Sequence, residues 1–250
     1  MKIRDLLTKL DQIAPFSSAE EWDNVGLLVG DEEREVETVL LATDCTKRTL
    51  EFAKEQGAEV ILTHHPLIFH AIKKLTSESF PFQLASAGIA VIGYHTTWDK
   101  AEGGVDDTLA RLIQMEEATV LDDEGFGRIG VFTQPTTAQE LALSLKNQLK
   151  DAPVRLYGSA EKTIKRPASL CGCGESGLQA ALNADADCII TGEMRFAYLM
   201  DALRQDVPVI LLGHGESERP AMAALQVMLA ATFPNTIFLM DDKEYDLTIL

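Results

Sequence analysis

Two stretches decide the architecture: GAEVILTHHP, from Gly57 to Pro66, and DADCIITGEM, from Asp185 to Met194. Laid over one another at an offset of 128 residues, each is an apolar run that ends in threonine and breaks into a polar turn. A second match follows at an offset of 119, where VIGYH, ending at His95, falls on the segment ending at His214, and Asp99 falls on Glu218. A single match between apolar strands is commonplace. Two in the same order imply an internal duplication of a strand-helix-strand unit, with the turn-forming DDEGFG of Asp122 to Gly127 as the junction. The expected halves are residues 1–125 and 126–250.

Working outward, short apolar runs recur at Thr38–Thr43, Val60–Thr63, Val91–Gly93, Leu170–Cys171, Cys188–Thr191 and Val207–Leu212. Helical segments lie between them: Lys47–Gln56, closed by Gly57, in the first half and Leu178–Asn183 in the second. This alternation is the α/β signature. The amino-terminal MKIRDLLTKLDQIAPF reads as an amphipathic helix rather than a signal peptide.

Four of the five histidines, His64, His65, His95 and His214, stand at the carboxyl end of a predicted strand, where open α/β sheets place their ligands. A lone histidine there is usually a satisfied core or surface residue. Four at equivalent positions favour a shared site. His64 and His65 are consecutive, and in an extended strand they would point to opposite faces. With the strand ending at Thr63 and Pro66 breaking the pattern, both rings can enter one crevice while staying apart, which favours two metals over one. His214 and Glu218, like His95 and Asp99, are four residues apart, a spacing that shares a helical face, and Pro220 is expected in the first turn of the helix that follows. Asp99 as a turn-former and Glu218 as a helix-dipole acid are the plainer alternatives. The expected ligands of two divalent ions are thus His64, His65, Asp99, His214 and Glu218, and mixed imidazole and carboxylate ligation suits Zn, Fe, Mn or Ni.

Other motifs carry less. Cys171-Gly-Cys173-Gly lacks a second cysteine pair and reads as a glycine-rich strand-to-helix turn; the GESG that follows lacks the lysine of a nucleotide-binding loop. Cys188 reads as core. Glu193 takes the place in the second half that His65 holds in the first, so it either lines the same crevice or begins a surface helix.

The chain has 250 residues, enough to bury a core without staples, and its four cysteines show no secreted pattern, so a reducing, cytoplasmic setting is expected. Its most apolar stretch is interrupted by Gln226, which argues against a membrane role. A formal net charge of −17 repels phosphate backbones and argues against general nucleic-acid binding.

The chain resembles the NGG-interacting-factor-like proteins, the GTP cyclohydrolase type-two homologues, along nearly its whole length. The resemblance rests on EEWDNVGLLVGD (Glu20 to Asp31), ILTHHPLIF (Ile61 to Phe69), GYHTTWDKAEGGVDD (Gly93 to Asp107), the TGE of Thr191 to Glu193 and LLGHGESER (Leu211 to Arg219). It implies two intertwined α/β lobes with the C-terminal segment packing on the first, a dinuclear centre in the cleft between them on the five ligands above, and a homohexameric ring. It makes His95 the candidate for a catalytic role beside the metals. It resembles the short form, without an inserted domain. Leu28, Thr97, Trp98, Asp106 and Gly215 depart from common family residues; none is a proposed ligand.

Three functions compete on this reading. The first is a metal-dependent hydrolase acting on a small molecule, with a nucleotide such as GTP as the substrate the resemblance implies, attack at the purine C8, proton transfer by His95 and Glu193 as a substrate-binding acid. The second is a non-catalytic metal-binding oligomeric scaffold or regulatory interaction protein. The third is a phosphoesterase. A catalytic pair of ions needs an open coordination position, and five ligands are few for two metals.

Overall fold

The computed structural model describes residues 1–150 and 152–241. The chain forms two compact units, one made of Met1–Ala101 together with the chain from Met222 on, the other of Glu102–Ala221.

In the first unit the elements run α1 (Ile3–Ile13), β1 (Gly26–Val29), β2 (Thr38–Ala42), α2 (Lys47–Gln56), β3 (Val60–Thr63), α3 (Phe80–Ser86), β4 (Ala90–Gly93) and α4 (Thr96–Lys100). Every residue of β2, β3 and β4 is buried, as expected of parallel strands covered on both faces. Leu40, Ile61 and Val91 pack with Leu50 and Ala53 of α2 and Leu84 of α3. Helix α2 starts where the Thr46 side chain accepts from the Thr49 amide and stops at Gly57, whose φ of 67° is left-handed.

The second unit contains α5 (Val105–Leu112), β5 (Glu116–Val120), β6 (Arg128–Val131), β7 (Thr136–Thr137), α6 (Ala138–Gln148), β8 (Arg155–Tyr157), β9 (Thr163–Ile164), β10 (Pro167–Cys173), α7 (Leu178–Asn183), β11 (Cys188–Glu193), α8 (Phe196–Arg204) and β12 (Val209–Leu211). Helix α9 (His214–Thr232) carries the chain back to the first unit, where β13 (Ile237–Met240) pairs in parallel with β2. Alternate residues of β11 and β12 serve two cores: Cys188, Ile190 and Ile210 face one, Ile189, Val209 and Leu211 the other.

The sheets repeat one pattern. The first has the order β1-β4-β3-β2-β13, and β2, β3 and β4 are mutually parallel while β1 is antiparallel to β4. The second has the order β5-β6-β10-β11-β12-β8, and β10, β11 and β12 are mutually parallel while β8 is antiparallel to β12. A helix precedes β1 and β8 alike, and each parallel crossover is helical. The mixed α/β class expected from the alternating runs is therefore observed.

The expected halves differ from the compact units. The units part between Ala101 and Glu102, whereas DDEGFG is a tight turn inside the second unit that joins the antiparallel strands β5 and β6. Asp122 accepts from the amides of Glu124 and Phe126, which is why turn chemistry read there as a boundary. Residues 242–250 of the expected second half lie outside the described residues. Pro220 also differs: α9 begins at His214, so the proline sits in the second turn rather than the first.

Candidate metal centre

Parallel register brings strand ends to one level. Ala42, Thr63 and Gly93 are paired neighbours, so the residues that follow, from Thr43, His64 and Tyr94, emerge along one edge of the first sheet. His64, His65 and His95 converge there, each offering a ring nitrogen, and these atoms lie within 4.8 Å of one another. Their ring centroids are 4.9 to 5.4 Å apart. The strand does end at Thr63, which frees the consecutive histidines from the alternation of a regular strand.

Each ring is anchored through Nδ1. His64 Nδ1 lies 3.2 Å from the Tyr94 carbonyl oxygen, His65 Nδ1 lies 3.0 Å from Asp44 Oδ1, and His95 Nδ1 lies 3.0 Å from Asp23 Oδ1. A carbonyl only accepts, and so does an ionised carboxylate, so Nδ1 carries the proton and the neutral ring's lone pair sits on Nε2. His64 Nε2 is 3.4 Å from Asp99 Oδ1. Asp99 thus meets His64, although its spacing suggested His95. Asp23 has a fully buried side chain that also accepts from the Thr96 amide and hydroxyl. Burial works against its charge, but the hydrogen bonds from His95 and Thr96 prevail and hold the carboxyl well below the usual carboxylate range.

The second unit assembles its own set at the corresponding sheet edge. His214 opens α9 just beyond β12, its Nε2 3.3 Å from Glu218 Oε1 one turn on and its Nδ1 2.9 Å from Glu193 Oε1 at the end of β11. Glu218 is buried and stands in the first turns of a long helix, whose dipole favours its charge. Beside it, Gly172 has a φ of 57°, and a Cβ there would meet Glu218 Oε1 at 2.5 Å and His214 Nε2 at 3.1 Å. This glycine of the Cys171-Gly-Cys173 turn therefore leaves open the space in front of both donor atoms.

These groups fit divalent cations: neutral imidazoles with oriented lone pairs, carboxylates beside them, and carbonyl or carboxylate partners behind them. The structure brings together His64, His65, His95 and Asp99 in the first unit, and Glu193, His214 and Glu218 in the second. Reading the sequence did not single out Asp23, Asp44 or Gly172. Asp44 was within reach, because it follows the apolar run of β2 at the same sheet edge as the histidines. Cys171, Cys173 and Cys188 are free thiols, and Cys188 is buried as expected.

A mixed α/β protein with such donor sets at its strand ends has known relatives. The chain belongs to the Duf34/NIF3 (NGG1p interacting factor 3) family, whose profile matches residues 1–244. It is 31% identical to a Clostridium perfringens protein named GTP cyclohydrolase 1 type 2 homolog, over 98% of this chain and 97% of the relative. It is 30% identical to a Drosophila melanogaster NIF3-like protein 1, over 87% of this chain and 78% of that protein. Among solved structures, a Staphylococcus aureus protein superposes with a TM-score of 0.92 at 28% identity, covering 100% of this chain and 99% of the other. The structure described as reduced HcgD from Methanocaldococcus jannaschii shares the fold, with a TM-score of 0.86 at 24% identity over 97% and 98% of the two chains.

Proposed function

We propose that the protein is a dinuclear-metal hydrolase acting on a nucleotide, with His64, His65, Asp99, His214 and Glu218 as its metal ligands. The observation that carries this reading is the common anchoring of all four histidines through Nδ1 to acceptors, which orients an Nε2 lone pair on each. Such anchoring is what holds metal-binding imidazoles in place, and the name of the relatives supplies the substrate class. Zn, Fe, Mn and Ni all suit the donor types.

Divalent ions bound there would supply Lewis acidity and an activated water near neutral pH. The chain's own residues divide the remaining work. His95 accepts a proton at Nε2 from the attacking group and returns it to the leaving nitrogen, and the Asp23 carboxylate behind its Nδ1 stabilises the transient imidazolium. Glu193 orients His214 and, with a side chain 56% exposed, stays available to the substrate. The free cysteines accord with the expected reducing, cytoplasmic setting, and no helix among the described residues is long and apolar enough to cross a membrane. The hexameric ring implied by the resemblance belongs to this same reading.

Metal-loaded protein screened against nucleotides and phosphoesters tests the proposal. Nucleotide turnover is expected, lost together with metal in Glu218→Ala; His95→Ala should retain its metal and lose about 10²- to 10⁴-fold in kcat. Turnover that survives in metal-free Glu218→Ala refutes the hydrolase reading. Selective cleavage of phosphoesters assigns the site to a phosphoesterase, and stable metal with no turnover of any substrate assigns it to a scaffold.

A further inference from the structure

His95 has a second set of neighbours. Trp22 and Phe69 stack on one another with centroids 5.7 Å apart and planes 27° apart, and both meet the His95 ring edge-on, at 5.9 and 6.0 Å. The pair is exposed: Trp22 is 57% and Phe69 43% accessible. Large aromatic surface left in water beside a polar cluster is a common mark of a binding site.

The pair is also built into the candidate centre. Trp22 adjoins Asp23, the carboxylate that anchors His95, and Phe69 lies in the loop that begins with His64 and His65. Asn24 Nδ2 donates to the Ile68 carbonyl at 2.6 Å, tying the two loops together. Lys100 pairs with Glu20 at 2.7 Å, and the Glu20 amide donates to the Thr96 hydroxyl, so the loop carrying Trp22 is fastened to α4 as well. The same short segments therefore position proton-transfer histidine, donor histidines and aromatic pair at once.

We infer that Trp22 and Phe69 form a stacking platform for the planar heteroaromatic ring of the substrate, holding it against His95. The inference deepens the proposed hydrolase reading and rests on it for the identity of the ring as a nucleobase. A π-face accepts any base, so the platform supplies affinity and orientation while recognition of particular ring atoms falls to other groups. Stacking needs no metal.

The chain has two tryptophans, and Trp98 is fully buried, so Trp22 alone reports on the platform. Metal-depleted protein titrated with guanosine, GTP and ribose 5-phosphate, followed by tryptophan emission and equilibrium dialysis, gives the test. Guanosine and GTP should quench emission saturably and ribose 5-phosphate should not. Phe69→Leu, which keeps apolar surface but removes the π-face, should weaken guanosine binding about fivefold or more. Trp22→Ala should do the same, and Trp22→Phe should lose the ligand-induced quench yet keep guanosine binding by dialysis. Quenching by ribose 5-phosphate, or guanosine affinity unchanged in Phe69→Leu and Trp22→Ala, overturns the platform. A changed sedimentation coefficient in Trp22→Ala with guanosine binding intact also overturns it and marks the patch as a self-association surface. Guanosine that binds but is never converted, as a nucleotide, by metal-loaded protein refutes the hydrolase reading and leaves the platform standing. Turnover with unchanged KM in Phe69→Leu does the reverse.

Discussion

The two units share a frame and differ in what stands on it. In both, three consecutive parallel strands with helical crossovers are flanked by an antiparallel strand preceded by a helix, and a histidine follows the third of them; β13 adds a fourth parallel strand to the first sheet alone. The first unit spends its strand ends on three histidines, the second on one histidine and two glutamates. Position 192 shows why. Where His64 stands in the first unit, Gly192 stands in the second, and a Cβ there would meet the Gly172 carbonyl oxygen at 2.5 Å and Ser217 Oγ at 2.7 Å. The second unit closes its backbone tightly around α9, and the Gly172 amide is held by Ser217 Oγ at 2.9 Å. A side chain has no room at position 192, so the second unit has no counterpart of His64, and its carboxylates are Glu193 and Glu218. One topology thus carries a histidine-rich set in the first unit and a carboxylate-rich set in the second.

The strongest way to break this comparison is to remove the crowding constraint's glycine. Gly192→Ala should cost about 3 kcal/mol or more of stability, because its Cβ meets backbone rather than a yielding side chain. Chemical denaturation measures it, and a loss under about 1 kcal/mol would show that the backbone can open.

A second contrast concerns two buried aspartates, one in each unit. Hydrogen bonds hold Asp23 low, whereas burial prevails at Asp106 and pushes it up to about 6, even though it accepts from the Cys171 and Gly127 amides and lies near Arg128. The folded state therefore binds the Asp106 proton more tightly than the unfolded chain, whose value is near 3.8. Its contribution to stability is present below that value and fades as pH rises to about 6, a swing of about 3 kcal/mol. Asp106→Asn should remove the swing between pH 4 and 6 in denaturation profiles. A slope unchanged from wild type would contradict the assignment. Asp23 works oppositely: its stabilisation is present above the unfolded carboxylate range and is lost only as pH falls below it.

The smallest expected effect sharpens the comparison of anchors. Asp44 holds His65 and Glu193 holds His214, both from partly exposed positions. Asp44→Asn and Glu193→Gln should each weaken metal binding about tenfold, the shallow end of the range for such partners, with the fold unchanged. Competition with a chromophoric chelator reads this, and full affinity in both variants would deny the anchors their role.

Much of this was legible along the chain. Fully apolar runs located β2, β3 and β11, and the bounds of α2 and α7 follow from their flanking threonine and glycines. The convergence of His64, His65 and His95 was legible because each follows an apolar run that ends at one sheet edge. What stayed hidden depends on distant pairing. The edge strands β1 and β8 and the break between Ala101 and Glu102 leave no local periodicity to read, and the return of β13 to the first unit's sheet was expected only from the resemblance. Side-chain partners were equally silent: Asp99 meets His64, and His95 takes Asp23 as its Nδ1 partner.

The central proposal is that His64, His65, Asp99, His214 and Glu218 hold two divalent ions. Metal content per chain, measured on protein dialysed against excess Zn or Mn and then against buffer, tests it most directly in wild type, His65→Ala and His214→Ala. The account predicts two ions per wild-type chain and fewer in either variant. Wild-type protein that keeps none, or a variant that retains both ions, would contradict it.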